Sequence, residues 1–353
     1  MRQPLRRFLF LLLGGLALLG GVQLQRRLPH HLAAMVPEPM TDVTTEDAPP
    51  AVALPIDPAL PRAADGRHYP LVPETPQALA DLLMAVEVAL RSDHTDASDL
   101  PALGHQQQVI YRTLSHQPQR AEAVRNRLSA DWRGVFDHHL AARREFLAMH
   151  SGGRGSATLP AWRIIAPEPA EALLRYYREA EAATGIEWEV LAAVNLVETG
   201  MGRIDGISVA DARGPMQFLP TTWAEPGIGK GDIRNPHDAI GAAARYLVRR
   251  GGLKDIRRGL WGYNNSDNYG RAVLHYAALL RDDPRAFTGL YHWEIHFNSA
   301  LGDLWLPVGY NQTQRLPVAA YLRQMPASAP PLGSQTNGQG VPPAARQPCC
   351  GQP

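Results

Sequence analysis

The sequence predicts a mainly α-helical protein, and three observations support this fold class. Apolar residues recur every three or four positions in several segments between residues 75 and 280, a spacing that places them on one face of a helix. Helix start and end signals bracket these segments, such as Thr75-Pro76 before one and Gly185 after another. Long β-type runs are absent from the sequence, so a large sheet is not expected.

The composition fits a globular protein with room for two modest domains. Hydrophobic residues make up 45% and charged residues 20% of the 353 positions. The formal net charge is only +1, and no basic stripe with interleaved aromatic residues is present, so nucleic acid is not expected as a partner. Cys349 and Cys350 are neighbours, and two adjacent thiols predict neither a disulfide nor a zinc site.

Residues 1–24 have the pattern of an export signal. Three arginines within the first seven residues precede an apolar run from Phe8 to Val22, which is longer than many signal-peptide cores but shorter than a comfortable membrane span. No small-residue cleavage site and no lipobox cysteine follow, which favours a retained signal anchor over a cleaved signal peptide. The body is then expected outside the cytoplasm, either anchored to the cell membrane or secreted.

Proline-rich segments flank the body of the chain. The 31 prolines gather before residue 77 and after residue 325. Residues 25–74 are therefore predicted to be a Pro-rich tether and residues 326–353 a disordered tail. An extended Pro-rich chain rises about 3 Å per residue, so the tether could hold the body up to about 100 Å from a membrane.

Residues 75–150 are predicted to form a small helical domain. Helices are expected at Gln77–Arg91, after the cap Thr75 and first-turn Pro76, at Pro101–His116, and from Pro118 to about His150. The histidines of this region lack a metal-ligand spacing, so no metal site is predicted. The Gly- and Ser-rich stretch 151–156 marks the boundary to the next domain.

Residues 151–325 form the second predicted domain. Helices are expected from Glu168 or Pro169 to Thr184, at Glu187–Glu198, at Pro236–Arg250 and from about Tyr269 to Leu280. The polar stretch from Trp261 to Tyr269 is predicted to be a loop. The helix at Glu187–Glu198 is apolar on nearly all sides, which is typical of a buried helix.

Glu198 is an ionisable residue near the end of this buried helix. It follows Leu191 by seven residues and Val194 by four, so its side chain projects from the same apolar stripe and loses water when the helix packs. Desolvation raises the pKa of a carboxyl group, and a glutamic acid protonated near neutral pH can act as a general acid. Gly200 and Gly202 follow, where the open backbone lets a substrate approach.

Three ordered motifs around Glu198 resemble those of a known enzyme family. The motifs are Glu198-Thr199 with Ser208 downstream, Gly214-Pro215-Met216-Gln217, and Gly262-Tyr263-Asn264. They are similar to the motifs of lytic transglycosylases of the soluble-transglycosylase (SLT) type, which are relatives of goose-type lysozyme. That family usually carries Glu-Ser, Gly-Leu-Met-Gln and Ala-Tyr-Asn, so this chain departs from it at Thr199, Pro215 and Gly262.

The resemblance implies a lysozyme-like α-helical catalytic domain that acts on the glycan strands of peptidoglycan. Such an enzyme cleaves the β-1,4 bond between N-acetylmuramic acid and N-acetylglucosamine with one glutamate, here Glu198, and forms 1,6-anhydromuramoyl ends. It needs no cofactor and no metal. The substrate-binding residues implied by the motifs are Thr199, Ser208, Met216, Gln217, Tyr263 and Asn264. Core packing is the alternative for Met216, and Tyr269 and Tyr276 are weaker candidates.

Two alternative functions fit the same residues. A carboxylate at Asp211, where the family often carries glycine, could position water and convert the reaction to lysozyme-like hydrolysis, with Asp205 as a further candidate. The motif departures and the helical domain at residues 75–150, which could bind a cell-wall protein partner, also fit a non-catalytic scaffold that binds the cell wall. Glu198 argues against the scaffold, because burial of an unused carboxyl group is costly.

Overall fold

The computed structural model describes residues 51–149, 155–208 and 210–331. The predicted signal anchor at residues 1–24, the first part of the tether, and Cys349 and Cys350 lie outside the described residues. Among the residues that are described, no helix combines the length and the apolar character needed to cross a membrane. The predicted mainly α-helical fold class is confirmed.

Helices dominate the segment that ends at residue 149. Their bounds are Pro76–Ala89 (α1), Leu100–Ser115 (α2), Pro118–Arg125 (α3) and Ala130–Met149 (α4). The Thr75 hydroxyl accepts a hydrogen bond from the Ala78 amide at 3.2 Å, which is the cap predicted for α1.

The single helix predicted from Pro118 to about His150 is wrong, because the chain breaks between α3 and α4. The amides of Arg127 and Leu128 bond to carbonyl groups three residues earlier, which tightens the chain after α3. This turn places the buried Leu128 side chain in the core. The sequence pattern did not reveal the break, because apolar residues continue at helical spacing through it.

A second group of helices follows residue 155. Their bounds are Ala170–Thr184 (α5), Trp188–Thr199 (α6), Pro220–Trp223 (α7), Pro236–Arg249 (α8), Ile256–Asn264 (α9), Asp267–Asp282 (α10), Ala286–Tyr291 (α11) and Val318–Gln324 (α12). Gly185 ends α5 in the left-handed conformation with φ of 80°, as predicted. A short 3₁₀ helix at Pro326–Ser328 closes the described part of the chain.

The loop predicted from Trp261 to Tyr269 is also wrong. Asp255 caps the start of α9 by accepting a hydrogen bond from the Arg257 amide at 3.0 Å, and the helix continues through Asn264. Asn265 and Ser266 alone separate α9 from α10. The polar side chains of this stretch are compatible with a helix because several of them face solvent.

Short antiparallel strand pairs complete the described fold. Thr158–Leu159 (β1) pairs with Leu316–Pro317 (β6), Trp162–Ile164 (β2) with Ile204–Gly206 (β3), and Ile295–Ser299 (β4) with Gly302–Leu306 (β5). Strand β3 begins shortly after α6 ends at Thr199. Its pairing with β2 therefore helps to fix the chain segment that follows α6.

One hydrophobic core unites the helices before and after residue 150. It contains buried Ile110 from α2, Phe136 from α4, Leu191 from α6, Leu247 from α8 and Val273 from α10. The described residues belong to one compact unit, in which α4 lies along α10. The helical domain predicted at residues 75–150 thus packs as one body with residues 155–325. Their division into separate functional domains stays a prediction.

Both ends of the described chain are more ordered than the sequence predicts. Tyr69, within the predicted tether at residues 25–74, packs in a buried cluster with Trp305, and Arg67 forms a 2.6 Å ion pair with Glu294. In the predicted tail at residues 326–353, Ser328 is buried and its hydroxyl hydrogen-bonds that of Tyr321 at 3.1 Å. Aromatic and charged anchors therefore hold segments that composition alone assigns to disorder.

His139 on α4 is a buried polar group inside this core. Its ring stacks on Tyr111, with centroids 4.2 Å apart, and neither ring nitrogen has a hydrogen-bond partner among the described residues. Burial, together with the charge of Arg91 and the neighbouring His138, lowers the pKa of His139 well below its usual value. An unfolded histidine takes up a proton near pH 6.5, whereas folded His139 stays neutral. Its contribution to stability therefore falls as the pH falls below about 6.5.

We expect His139→Phe to raise the free energy of unfolding. The phenyl ring keeps the stacking shape and replaces two buried ring nitrogens that have no hydrogen-bond partner. We therefore expect the free energy of unfolding to rise by about 1 kcal/mol at neutral pH and by more near pH 5. Urea unfolding at both pH values measures the change. His94→Gln removes an exposed histidine and is the control. A gain that is the same at both pH values would contradict the role assigned to the buried imidazole.

Candidate active site

Glu198 lies in the last turn of α6, where the buried helix reaches the protein surface. Its side chain is partly exposed, whereas the preceding Leu191 and Val194 are fully buried. The Tyr269 hydroxyl donates a hydrogen bond to Glu198 Oε1 at 2.7 Å. Burial raises the pKa of the Glu198 carboxyl group to about 7, although the bond from Tyr269 opposes this rise. The group can therefore exist in either protonation state near neutral pH.

Two parallel tyrosines connect Glu198 to a neighbouring turn. Tyr263 from α9 and Tyr269 from α10 stack with an interplanar angle of 4° and a centroid distance of 6.3 Å. The Tyr263 hydroxyl donates to the Met216 carbonyl oxygen at 2.8 Å. Burial and the nearby Glu198 raise the pKa of both phenols well above their usual value, so both remain hydrogen-bond donors.

The turn at residues 214–217 requires its glycine. Gly214 has φ of 73°, and a Cβ atom at this position would lie 1.9 Å from the carbonyl oxygen of Ile233. Arg213 and Phe218 exchange two backbone hydrogen bonds of 2.8 and 3.0 Å across the turn. Gln217 is partly exposed, and its side-chain amide donates to the Gly214 carbonyl oxygen at 3.1 Å. This arrangement holds the turn closed beside α6.

A buried hydrogen-bond network joins the same turn to α6. The Pro215 carbonyl oxygen accepts from the Thr199 hydroxyl at 2.6 Å and from the Asn195 side-chain amide at 2.9 Å. Asn195 in turn accepts from the Tyr177 hydroxyl at 2.7 Å, and Thr199 accepts from the Gly202 amide at 3.0 Å. The missing amide hydrogen of Pro215 is not needed, because the network uses its carbonyl group.

The comparison with known proteins identifies one family domain around these residues. Residues 175–278 match the transglycosylase SLT domain. The matched span includes Glu198, the 214–217 turn and both stacked tyrosines, and it is less than a third of the chain. No curated protein and no solved structure gives a significant match. The SLT domain indicates a peptidoglycan lytic transglycosylase type of function and binding of peptidoglycan as substrate.

The structure separates the predicted substrate-binding residues of the SLT domain into two groups. The side chains of Thr199 and Met216 are 1% and 0% exposed, so direct substrate contact is not supported for either. Thr199 instead holds the turn, and Met216 packs in the core while its carbonyl oxygen receives Tyr263. Both residues therefore support the structure of the site from inside the protein.

The second group comprises predicted residues whose side chains reach solvent. Gln217 and Tyr263 are partly exposed, and Asn264 is exposed at the end of α9. Ser208 is partly exposed, but its hydroxyl accepts from the amides of Ala210 and Ala212 at 3.1 and 3.0 Å, which fixes the shape of its loop. A contact of these side chains with the glycan stays a prediction.

Tyr269 is the site residue that the sequence reasoning underrated. The loop predicted from Trp261 to Tyr269 did not define where Tyr269 lies relative to Glu198. In the structure, the connection between α9 and α10 is short, and the Ser266 cap places Tyr269 in the first turn of α10. A capping serine three residues before a tyrosine was the available signal. In the structure, Tyr269 is the hydrogen-bond partner of Glu198, whereas the Tyr263 hydroxyl binds the Met216 carbonyl oxygen.

The two aspartates considered for hydrolysis have partners of their own. Asp211 is exposed and has φ of 67°, and its carboxylate forms a 3.0 Å ion pair with Arg213. Asp205 forms an ion pair with Arg163 across β2 and β3. The described hydrogen-bond partner of the Glu198 carboxyl group is Tyr269 and not an acid. Across the described ranges, no group of three potential ligands is arranged to hold a metal ion.

We expect Glu198→Gln to stabilise the protein in a pH-dependent way. The pKa is about 7 in the folded state and 4.5 for an ordinary glutamate, so the folded state holds a proton that the unfolded chain has lost between these values. The free energy of unfolding of the wild type therefore falls as the pH rises through this window. The variant should be the more stable protein near pH 8, and the difference should shrink towards about pH 5.

Chemical unfolding at the two pH values measures this difference. Glu189→Gln, in the first turn of the same helix, is the matched control because it changes the same functional group at a position away from Tyr269. An identical stability difference between Glu198→Gln and the wild type at both pH values would show that the pKa of Glu198 is not raised.

Proposed function

We propose that this protein is a peptidoglycan lytic transglycosylase in which Glu198 is the single acid and base. The observation that carries the proposal is a carboxyl group with a pKa of about 7, bonded to Tyr269 and located within an SLT domain. The substrate is the β-1,4 bond between N-acetylmuramic acid and N-acetylglucosamine. We further infer a lysozyme-like arrangement of the catalytic helices, with α6 at its centre.

In the proposed reaction, Glu198 serves twice. The protonated carboxyl group donates its proton to the glycosidic oxygen as the bond to the muramoyl anomeric carbon breaks. The resulting carboxylate then removes the proton from the muramoyl C6 hydroxyl, whose oxygen attacks the anomeric carbon and closes the 1,6-anhydro ring. The first proton leaves with the departing sugar hydroxyl, and the proton from the C6 hydroxyl restores the acid form of Glu198, so no water is consumed. A pKa near neutrality suits this exchange because neither protonation state is strongly disfavoured.

Tyr269 supports the carboxylate stage of this cycle. Its hydroxyl donates to Glu198 Oε1, and a hydrogen bond to an ionised acceptor is stronger than one to a neutral acceptor. The bond therefore stabilises the carboxylate formed after the first proton transfer. Tyr263 stacks against Tyr269 and is tied to the Met216 carbonyl, so it keeps the phenol of Tyr269 in place.

The surroundings of Glu198 favour the transglycosylase over a two-carboxylate hydrolase. Hydrolysis through paired carboxylates requires a second acid about 5 Å or roughly 6.5–9.5 Å away. Asp211, the candidate for that role, is exposed and paired with Arg213. Substrate binding by Gln217, Tyr263 and Asn264, an external location and a membrane anchor belong to the same proposal. A cell-wall protein partner for residues 75–150 stays a prediction.

Mass spectrometry of fragments released from purified peptidoglycan tests this function. The full chain should release fragments whose muramoyl ends are one water lighter than reducing ends. Glu198→Gln should lower the rate by about 10²–10⁴-fold, because it removes the acid and base together. Glu189→Gln is the matched control and should retain the wild-type rate.

The products distinguish the alternatives. Reducing muramoyl ends would contradict the transglycosylase and support a hydrolase, and loss of these ends in Asp211→Asn would assign the water-positioning role to Asp211. Binding of peptidoglycan by the wild type without any released fragment would instead support the non-catalytic scaffold.

A further inference from the structure

Glu145 on α4 reaches across to the N-terminal part of α10. Its Oε2 atom accepts from the Asn268 side-chain amide at 2.8 Å, and its two carboxylate oxygens accept from the Arg271 guanidinium at 2.8 and 2.9 Å. The bonds from Arg271 lower the pKa of the Glu145 carboxyl group, so this acceptor is ionised at neutral pH. Three charge-assisted hydrogen bonds therefore converge on one side chain.

The two donors flank the tyrosine that contacts the candidate acid. Asn268 directly precedes Tyr269, and Arg271 follows it by two residues. Because all three belong to one helical turn, a carboxylate that holds Asn268 and Arg271 fixes the position of that turn relative to α4. Tyr269 projects from the same turn and donates to Glu198 at 2.7 Å. Hydrogen bonds thus connect Glu145 on α4 to the helical turn whose phenol binds Glu198.

A surface ion pair alone would not give Glu145 this importance. Exposed ion pairs contribute little to stability, and Arg271 is 49% exposed. Glu145 differs from such pairs because its side chain is 21% exposed, it binds the guanidinium through two oxygens and it also binds Asn268. Asp137, on the same helix, binds Arg125 through two oxygens in a similar way, and neither of these two bonds involves α10.

We propose that Glu145 is a positioning residue for the hydrogen bond between Tyr269 and Glu198. Since α4 lies outside the 175–278 match, the helical segment before residue 150 would supply a part of the active site that the SLT domain itself does not contain. This proposal deepens the proposed function and rests on it for its kinetic readout. It gives residues 75–150 a role within the same chain.

A double-mutant cycle on the full chain tests the coupling. Glu145→Ala should lower kcat by about tenfold and leave KM nearly unchanged, because the misplaced tyrosine affects the proton transfers more than glycan binding. It should also move the pH–rate profile to higher pH, since the bond from Tyr269 holds down the pKa of Glu198. Tyr269→Phe should move the profile in the same direction. The combination of both substitutions should produce no larger shift than Tyr269→Phe alone.

Asp137→Ala is the matched control, and it should leave the pH profile unchanged. An unshifted profile for Glu145→Ala, or shifts that add in the double variant, would overturn the positioning role. A second readout does not require enzymatic activity. The free energy of unfolding of each protein is compared with that of its Glu198→Gln counterpart over a range of pH, and the pH dependence of the difference reports the pKa of Glu198. If the wild type releases no fragments, the proposed function fails, whereas a pKa shift in Glu145→Ala would still support the positioning role.

Discussion

Removal of water from one carboxyl group sets the conditions that the rest of the site meets. In the proposed reaction, Glu198 must be surrounded by enough protein to keep its proton near neutral pH, yet one side must stay open to a glycan. The buried stripe of α6 supplies the apolar surroundings, and the place of Glu198 in the last turn of the helix leaves its side chain partly exposed. Burial favours the neutral acid, and the hydrogen bond from Tyr269 opposes this effect by favouring the carboxylate.

The backbone of the 214–217 turn, more than its side chains, holds the site together. Thr199 and Asn195 bind the Pro215 carbonyl group, and Tyr263 binds the Met216 carbonyl group. A network of this kind depends on the path of the chain and not on the side chain at position 215. The departure from the leucine usual in the family is therefore compatible with an intact site, as is Thr199, which keeps the hydroxyl of the usual serine.

The sequence predicted those parts of the structure that depend on local chemistry. The cap at Thr75, the left-handed Gly185 and the apolar surroundings of Glu198 follow from residue type and spacing, and each is present. Contacts between distant residues were beyond its reach. The docking of Tyr69 against Trp305, which are far apart in the chain, overrides a proline-rich composition that is typical of disorder.

The candidate site shows the same division. Glu198 was predicted from its place on a helix, whereas the prediction of substrate contact for Thr199 and Met216 came from motif position and is not supported by their burial. Tyr269 was only a weak candidate because the stretch from Trp261 to Tyr269 was predicted to be a loop, whereas α9 and α10 are joined by a short link. Motifs identified which segments meet at the site, but only the packing decides which side chains face the substrate.

The core shared by the helices before and after residue 150 limits how a part of this protein could be recombined into another gene. A family match ends at residue 278, but Ile110 and Phe136 lie in the same core as Leu191 and Val273. A gene fragment recombined at the edges of the match would carry an apolar surface that its new host must cover. The segment that would have to be transferred to keep this core intact is therefore larger than the matched span, because it includes the preceding helices.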